Sequence, residues 1–350
     1  MRWLKFFGFG TIRREVLAGM PVPHDPYILI LGGSHDGQLI GVREALNGDG
    51  IRVRLIDHID PQPFELSVDR SGRYRLEIDG EEMPEPPLVW CRLKIHTILS
   101  EWTEATIPEF VRRIEWRKLL SGIAHLYDDR CIHSISALWA AEHKPRQFSE
   151  AVKAGFEIPE TSFFAGKSYA KGFASRHDPC LAKVIAARNV PRLNAGPDSY
   201  RILQTMDLGM DTIDASDEDE FLSTPAMFQE WLTEGWEYRV IAFRDRAFVY
   251  RRLDMVQNRT RPDPRILLGA QYEMVPTDPA IRDAASRYLQ AMGLHYGTFD
   301  LIEPSDGSLY FLECNPEGQW SAAVGHNPAE VAAHFASVLG RLLTHRVAAA

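Results

Sequence analysis

The residues with the most chemical promise lie near the carboxyl end. Gly297-Thr-Phe-Asp300-Leu-Ile is followed by Asp306-Gly307 and then by Tyr310-Phe-Leu-Glu313-Cys-Asn315. An Asp-Gly pair between two apolar runs marks a tight turn, so the flanking segments are expected to be antiparallel neighbours. Side chains alternate along a strand. Glu313 and Asn315 therefore share a face, and Asp300 falls near Glu313 across the pair. Three hard oxygen donors then converge on one patch of an otherwise apolar hairpin. Magnesium suits such a set, because it takes a few carboxylate or amide oxygens and completes its octahedron with phosphates and water. The plainer reading of the same carboxylates is pairing with nearby arginines, since neither could be buried without a partner.

The elements that must position these residues have the texture of an α/β (α+β) protein. Tyr27-Ile-Leu-Ile-Leu31 is a continuous apolar run, followed by a glycine-bearing loop, a helical pattern from Gln38 to Leu46, and a second run at Ile51–Ile56. This order opens a parallel sheet. The loop reads Gly32-Gly-Ser-His-Asp-Gly37, which lacks the G-x-G-x-x-G spacing and argues against a dinucleotide site. Arg73–Ile78 and Leu88–Arg92 read as further strands of that sheet. Helical periodicity runs from Ile107 to Ala141 with a break at Asp128–Arg130, and again from Gln147 to a stop at Gly155.

Strands are expected at Ser162–Ala165, Leu181–Ala186 and Ala226–Leu232, with an acidic solvated loop or helix start at 211–220. Tyr238–Phe243 and Ala247–Tyr250 form a hairpin, Ala280–Gly293 an amphipathic helix, and Pro328–Leu343 a last helix.

Composition bounds the remaining choices. The chain has 350 residues, 39 Lys+Arg and 48 Asp+Glu, for a formal charge of −9, with 45% apolar and 25% charged residues. These are globular proportions, and the length suits two or three domains. An acidic balance argues against a nucleic-acid partner. No window of about 18 uncharged apolar residues is present, so no membrane span is expected. The opening apolar run is broken by Lys5 and followed by Arg13-Arg14-Glu15, with no small-x-small cleavage site, so it does not read as a signal peptide. Residues 1–25 read as an N-terminal extension. Cys91, Cys131, Cys180 and Cys314 are widely spaced with no C-x-x-C pair, and read as reduced, buried thiols of a cytoplasmic protein. No Ser/His/Asp or Cys/His arrangement stands out, and no covalent enzyme nucleophile is expected.

Phe311-Leu-Glu-Cys-Asn-Pro-Glu-Gly-Gln-Trp320 resembles the C-terminal signature of ATP-grasp ligases. It is closest to the branch that matures ribosomally made peptides (the graspetide or microviridin type), whose pattern runs F-L-E-x-N-P-x-G-Q-W. Upstream, Ala140-Ala-Glu-His-Lys144-Pro-Arg-Gln-Phe148, Ala151 and Gly155-Phe-Glu-Ile-Pro159-Glu-Thr161 resemble that branch's A-x-x-K-x-x-Q-L … A … G-x-x-I-P-x-T. The resemblance covers residues 26–345. It implies an ATP-grasp fold with a pre-ATP-grasp parallel-sheet domain at 26–140, a central subdomain at 141–228 and a C-terminal subdomain with the metal site at 229–350.

The resemblance also assigns roles. Asp300, Glu313 and Asn315 would be the magnesium ligands. Lys144 and Lys183 would be the two nucleotide lysines. Taken alone, Lys144 before a proline reads as a solvated surface lysine, whereas Lys183 inside an apolar strand needs an anion that a phosphate would supply. Glu230, Trp231 and Leu232 fall at the linker that meets adenine, and Glu237 where a ribose contact is expected. Arg239 and Arg252 would be catalytic, since a planar guanidinium suits the spread charge of a transferring phosphoryl group. Salt bridging to surface acids such as Asp254 is the alternative for these arginines.

The chain departs from the pattern at the lid and at Glu317, and more neutrally at His143 and Cys314. Val184–Pro191 stands where a glycine-rich phosphate lid is expected, so the lid is either shorter or uses Asn194-Ala195-Gly196, and Glu317 replaces the usual Asn. The implied cofactors are ATP and Mg2+. The implied reaction is carboxylate activation through an acyl phosphate, joined to an amine or hydroxyl. The implied partner is a precursor peptide with leader and core segments, and the branch adds the expectation of a homodimer. A ligase for a small molecule or amino acid, and a nucleotide-binding regulator without turnover, are the competing readings.

Overall fold

The computed structural model describes residues 26–93, 107–185, 189–191, 200–202, 205–255, 271–318, 320 and 328–349. The expected extension at 1–25 and the candidate lid at Asn194–Gly196 lie outside the described residues.

The first sheet is parallel. Its strands are β1 (Tyr27–Gly32), β2 (Arg52–Asp57), β6 (Leu88–Cys91) and β7 (Cys131–Ile132), in the order β2-β1-β6-β7. β1 is buried along its whole length, which is why it reads as an unbroken apolar run rather than an alternating one. Helix α1 (Gly37–Gly48) follows it, capped by Asp36, whose carboxylate accepts from the Gln38 N–H at 3.0 Å.

The expectation that Arg73–Ile78 joins this sheet is wrong. β3 (Phe64–Val68), β4 (Tyr74–Ile78) and β5 (Glu81–Met83) form a separate antiparallel sheet. Alternation identifies a strand but not its partner. Here the turn decides: Asp79 and Gly80 both have positive φ (53° and 77°), which closes a two-residue hairpin onto β5 instead. The sheet still contributes Leu76, Ile78 and Met83 to a core with β1, α2 (Ile107–Leu126) and α3 (Ile135–Ala141).

The central part holds α4 (Lys144–Ala154), β8 (Thr161–Phe164), α5 (Lys167–Ala174), β9 (Cys180–Lys183), the pair β10 (Asn189–Pro191) and β11 (Tyr200–Ile202), β12 (Met206–Leu208), α6 (Met210–Ala215), α7 (Glu218–Ser223) and β13 (Ala226–Glu230). β12-β9-β13-β8 is an antiparallel sheet packed through Phe228 and Cys180 on Phe173 and Ile213. The acidic stretch is two short helices, and β13 ends two residues earlier than expected, leaving Trp231 and Leu232 beyond the strand.

The last sheet is antiparallel, in the order β16-β15-β14-β17-β18, from β14 (Trp236–Phe243), β15 (Ala247–Arg252), β16 (Tyr272–Val275), β17 (Tyr296–Glu303) and β18 (Tyr310–Asn315). One face, with Val240, Val249, Phe299 and Phe311, packs on α4 and α8 (Pro279–Ala291). The opposite face carries Ile241, Phe243, Phe248 and Tyr296 against α9 (Pro328–Ala349) and the first sheet. That second face is apolar only toward one end of the strands. Its other end carries the charged residues.

Gly235 makes the step from the central part into β14. Its φ is +137°, and an added Cβ would lie 2.7 Å from the Glu303 backbone oxygen. Gly235→Ala is expected to destabilise the protein by about 1–3 kcal/mol, because only glycine adopts this backbone freely. Urea denaturation checks it, and an unchanged midpoint would contradict the packing described.

His133 and His295 meet where the first and last sheets join, their rings 6.2 Å apart, with the His295 backbone N–H donating to His133 Nδ1 at 3.0 Å. Burial holds the His133 imidazole well below its ordinary range. Burial, with Arg244 and Arg346 adding, pushes His295 down to about 4 from 6.5. The unfolded chain therefore binds more protons between these two values, so stability rises with pH across that window. Acidification from 6.5 to 4 is expected to cost about 3 kcal/mol through His295, with His133 acting in the same direction. His295→Gln should flatten the plot of urea midpoint against pH, and an unchanged slope would refute the assignment.

Candidate active site

The site is built on cross-strand register. Arg239 of β14 faces Asp300 of β17, and Asp300 faces Glu313 of β18. Residues opposite one another in an antiparallel sheet have Cβ atoms about 4.5–5.5 Å apart, so three charged side chains are set in a row by the backbone alone. The bulge that follows Asp300 shifts the register beyond it, where Leu301 faces Phe311. The expected closeness of Asp300 and Glu313 is borne out.

Each end of the row is closed by a cation. Arg239 Nη1 donates to Asp300 Oδ1 at 2.5 Å, and Lys144 Nζ donates to Glu313 Oε2 at 2.8 Å. Lys144 comes from the first turn of α4. Gln147, one turn on, grips the free edge of β18: its Nε2 donates to the Cys314 carbonyl at 3.0 Å and its Oε1 accepts the Cys314 N–H at 3.1 Å. That grip brings the lysine to the carboxylate. Lys144 is 9% exposed, so the surface reading that its local sequence suggests does not hold.

Burial pushes the Asp300 carboxyl above its ordinary range. The Arg239 guanidinium opposes that shift, and the Glu313 carboxylate beside it adds to the push. Burial alone would lower the Arg239 guanidinium, but Asp300, with Glu313 helping, outweighs it and holds the guanidinium above its ordinary value. Two carboxylates forced together in a half-buried place favour a cation between them.

Asn315 sits one row along, opposite Thr298, and its Oδ1 accepts the Glu317 N–H at 3.1 Å, leaving a second lone pair. Among the described residues no three His, Cys, Asp or Glu side chains gather as a metal group. A third protein donor to a cation held by Asp300 and Glu313 would therefore be the Asn315 amide. All three donors are hard oxygens, which fits magnesium.

A second ion pair lies in the next row on the same face. Arg252 Nη1 donates to Glu237 Oε2 at 3.0 Å, and Glu237 is 5% exposed. Arg252 thus pairs with Glu237 rather than with Asp254, and Glu237 lies beside the arginines on the sheet that carries the carboxylates.

The other candidates stand in the central sheet. Lys183 Nζ donates to Gln229 Oε1 at 2.5 Å. Gln229 Nε2 donates in turn to Thr161 Oγ1 at 3.0 Å, and the Thr161 hydroxyl to the Pro159 carbonyl at 2.7 Å. The relay fixes which end of the amide faces the lysine. Glu230 closes the end of β13 on Glu160: its N–H donates to the Glu160 carbonyl at 2.8 Å and its Oε2 accepts the Glu160 N–H at 3.1 Å. Trp231 and Leu232 follow, half-buried, and Trp231 Nε1 is buried without a hydrogen-bond partner among the described residues.

Lys144, Glu237, Arg239, Arg252, Asp300, Glu313 and Asn315 therefore gather on the last sheet and its edge. Lys183, Glu230, Trp231 and Leu232 occupy the central sheet and the segment leaving it. The sequence offers Gln147 as the glutamine of the K-x-x-Q match and Gln229 as the residue opening the linker at Glu230, but gives neither a role. Gln147 falls three residues after Lys144 and so shares its helix face.

Neither a protein-family model nor a curated protein sequence matches the chain. Solved structures do. A Chryseobacterium gregarium RiPP-associated ATP-grasp ligase, in complex with ADP and a leader and core peptide, superposes with a TM-score of 0.74 at 20% identity, covering 91% of this chain and 97% of that one. The macrocyclase MdnC of Microcystis aeruginosa MRC, bound with precursor peptide MdnA, gives 0.71 at 18% identity over 90% and 99%. The ATP-grasp ligase PsnB, complexed with a phosphomimetic variant of its minimal precursor, Mg and ADP, gives 0.68 at 19% over 91% and 99%. The chain has the ATP-grasp fold, preceded by a parallel-sheet domain.

Proposed function

We propose that this protein is an ATP-dependent ligase that links side chains of a ribosomally made precursor peptide through ω-ester or ω-amide bonds. The observation that carries the reading is the half-buried row Lys144–Glu313–Asp300–Arg239, in which two carboxylates share one face and a cation closes each end. Each carboxylate has its own cation, and what an isolated ion pair lacks is the second acid directly across the strand from the first. This arrangement puts paired acids and phosphate-binding groups within one patch. The structural likeness to ligases solved with ADP, Mg and precursor peptides supports the same reading.

Asp300, Glu313 and Asn315 would hold magnesium, which when bound supplies charge neutralisation to the phosphate tail of ATP. Arg239 and Arg252 bind phosphoryl oxygens in pairs and keep their protons throughout, so they neutralise charge without acid–base chemistry. Lys144 and Lys183 bind the nucleotide phosphates from the edge of the last sheet and from the central sheet. Gln229 keeps the Lys183 ammonium in place while no phosphate is present. Glu230, Trp231 and Leu232 receive the adenine, and Glu237 both orients Arg252 and offers a carboxylate to the ribose. A substrate carboxylate takes the γ-phosphoryl group of ATP, and an amine or hydroxyl then displaces phosphate from the resulting acyl phosphate. Positioning and charge neutralisation account for the catalysis.

Incubated with MgATP and a short precursor rich in Thr, Ser, Asp and Glu, the protein is expected to release ADP and to remove one water from the peptide per bond, read by mass spectrometry. ADP release with unchanged peptide mass would sink the peptide assignment and favour a small-molecule acceptor. Absence of both nucleotide binding and ADP release would sink the ligase reading itself.

A further inference from the structure

The chain leaves β18 through Asn315-Pro316-Glu317-Gly318, and three successive carbonyls of this loop are taken by side chains of the N-terminal part. His133 Nε2 lies 3.2 Å from the Pro316 oxygen, Arg92 Nη1 donates to the Glu317 oxygen at 2.8 Å, and Gln38 Nε2 donates to the Gly318 oxygen at 3.3 Å. All three side chains are buried, with His133 fully enclosed and Arg92 and Gln38 each 2% exposed.

Each donor is held by a second contact that dictates its direction. His133 Nδ1 accepts the His295 N–H, so the proton sits on Nε2 and faces Pro316. Arg92 Nε pairs with Asp36 Oδ2 at 3.0 Å. Arg92 Nη2 donates to Gln38 Oε1, which turns the amide so that its Nε2 faces Gly318. A buried guanidinium is costly unless every donor is matched, and here each of its three nitrogens has a partner.

The loop sets the Asn315 side chain in its turn. The Glu317 N–H holds Asn315 Oδ1, and the Gly318 N–H donates to the Asn315 carbonyl at 3.2 Å. The loop lies close on β17 at Gly318, where a Cβ would come within 2.5 Å of Thr298 Oγ1.

We infer that Gln38, Arg92 and His133 are positioning residues, through which the N-terminal parallel-sheet domain fixes the Asn315 donor beside the Asp300–Glu313 pair. The inference rests on the proposed role of Asn315 as a magnesium ligand. It makes the N-terminal domain a working part of the nucleotide site rather than a separate module.

The test is the magnesium dependence of ADP binding, measured by titration calorimetry on the full chain. Gln38→Leu removes the donor to Gly318. Gln38→Glu keeps an acceptor for Arg92 but sets an oxygen against the Gly318 carbonyl. Arg92→Lys keeps the charge beside Asp36 and loses the fork. Each is expected to raise the half-saturating magnesium concentration about tenfold, the lower end for groups that orient a metal ligand. ADP affinity without magnesium should stay within about twofold of wild type, because Lys144, Lys183, Arg239 and Arg252 are untouched. If Gln38→Glu restores the wild-type titration, Gln38 serves only to pack Arg92 and the inference fails. It fails equally if the folded variants titrate like wild type while Asn315→Ala does not. If Asn315→Ala itself leaves the titration unchanged, the metal role beneath the inference is what has failed. Arg92→Lys is the variant most prone to unfold, and the two Gln38 variants then decide alone.

Discussion

Arg239→Lys is expected to lower ATP-dependent turnover about 10³-fold or more, the range seen when an arginine that stabilises a transferring phosphoryl group is lost. The charge beside Asp300 is retained, so the row stays neutral and the fold holds. What is lost is the planar fork, which grips two oxygens at once and which a lysine presents only as a point charge. Arg239 is also placed by the backbone, opposite Asp300 in an eight-residue strand, so a shorter head group cannot be moved up to compensate. The magnesium dependence of ADP binding should be close to wild type, because all three oxygen donors remain. Single-turnover ADP release, alongside thermal unfolding, checks the expectation. A rate within tenfold of wild type would show that Arg239 serves only as the counter-charge of Asp300.

Much of this site was legible because it lies on one hairpin. The Asp306-Gly307 turn and the period-two alternation of the flanking runs place Asp300 opposite Glu313 without further information, and the observed register agrees. Lys144 shows where local reading stops. Its neighbours argue for solvent, and its burial is decided by Gln147 gripping Cys314, a residue 167 positions away. The same limit hid Gln38, Arg92 and His133. Their partners at 316–318 are separated from them by 183 to 280 positions, and no spacing within either segment announces the pairing. β4 failed for a related reason: alternation marks a strand, whereas the sheet it joins depends on which turn closes first. The fold class survived these errors because it rests on element order, which is local, rather than on partners, which are not.

Asp300→Asn should give the opposite signature to Arg239→Lys. Among the described residues the row sets Lys144 and Arg239 against Asp300 and Glu313, two positive charges against two negative ones, so their sum is zero. Replacing one acid by an amide leaves a net charge of +1 in a half-buried place. A divalent cation is then repelled where it was held, and the half-saturating magnesium concentration for ADP binding is expected to rise at least about 100-fold, the upper end of what loss of an outer partner costs a metal site. Metal-free ADP should bind as well as to wild type or better, since its phosphates meet an unmatched guanidinium. Removing a carboxylate would thus strengthen the hold on the nucleotide while abolishing its use. A structural ion pair cannot produce that split: breaking it would cost stability and leave magnesium dependence where it was. Calorimetric ADP titrations with and without magnesium, on wild type and Asp300→Asn, separate the two. If both forms require magnesium equally, the carboxylate row is scaffolding and the metal must be sought elsewhere in the protein.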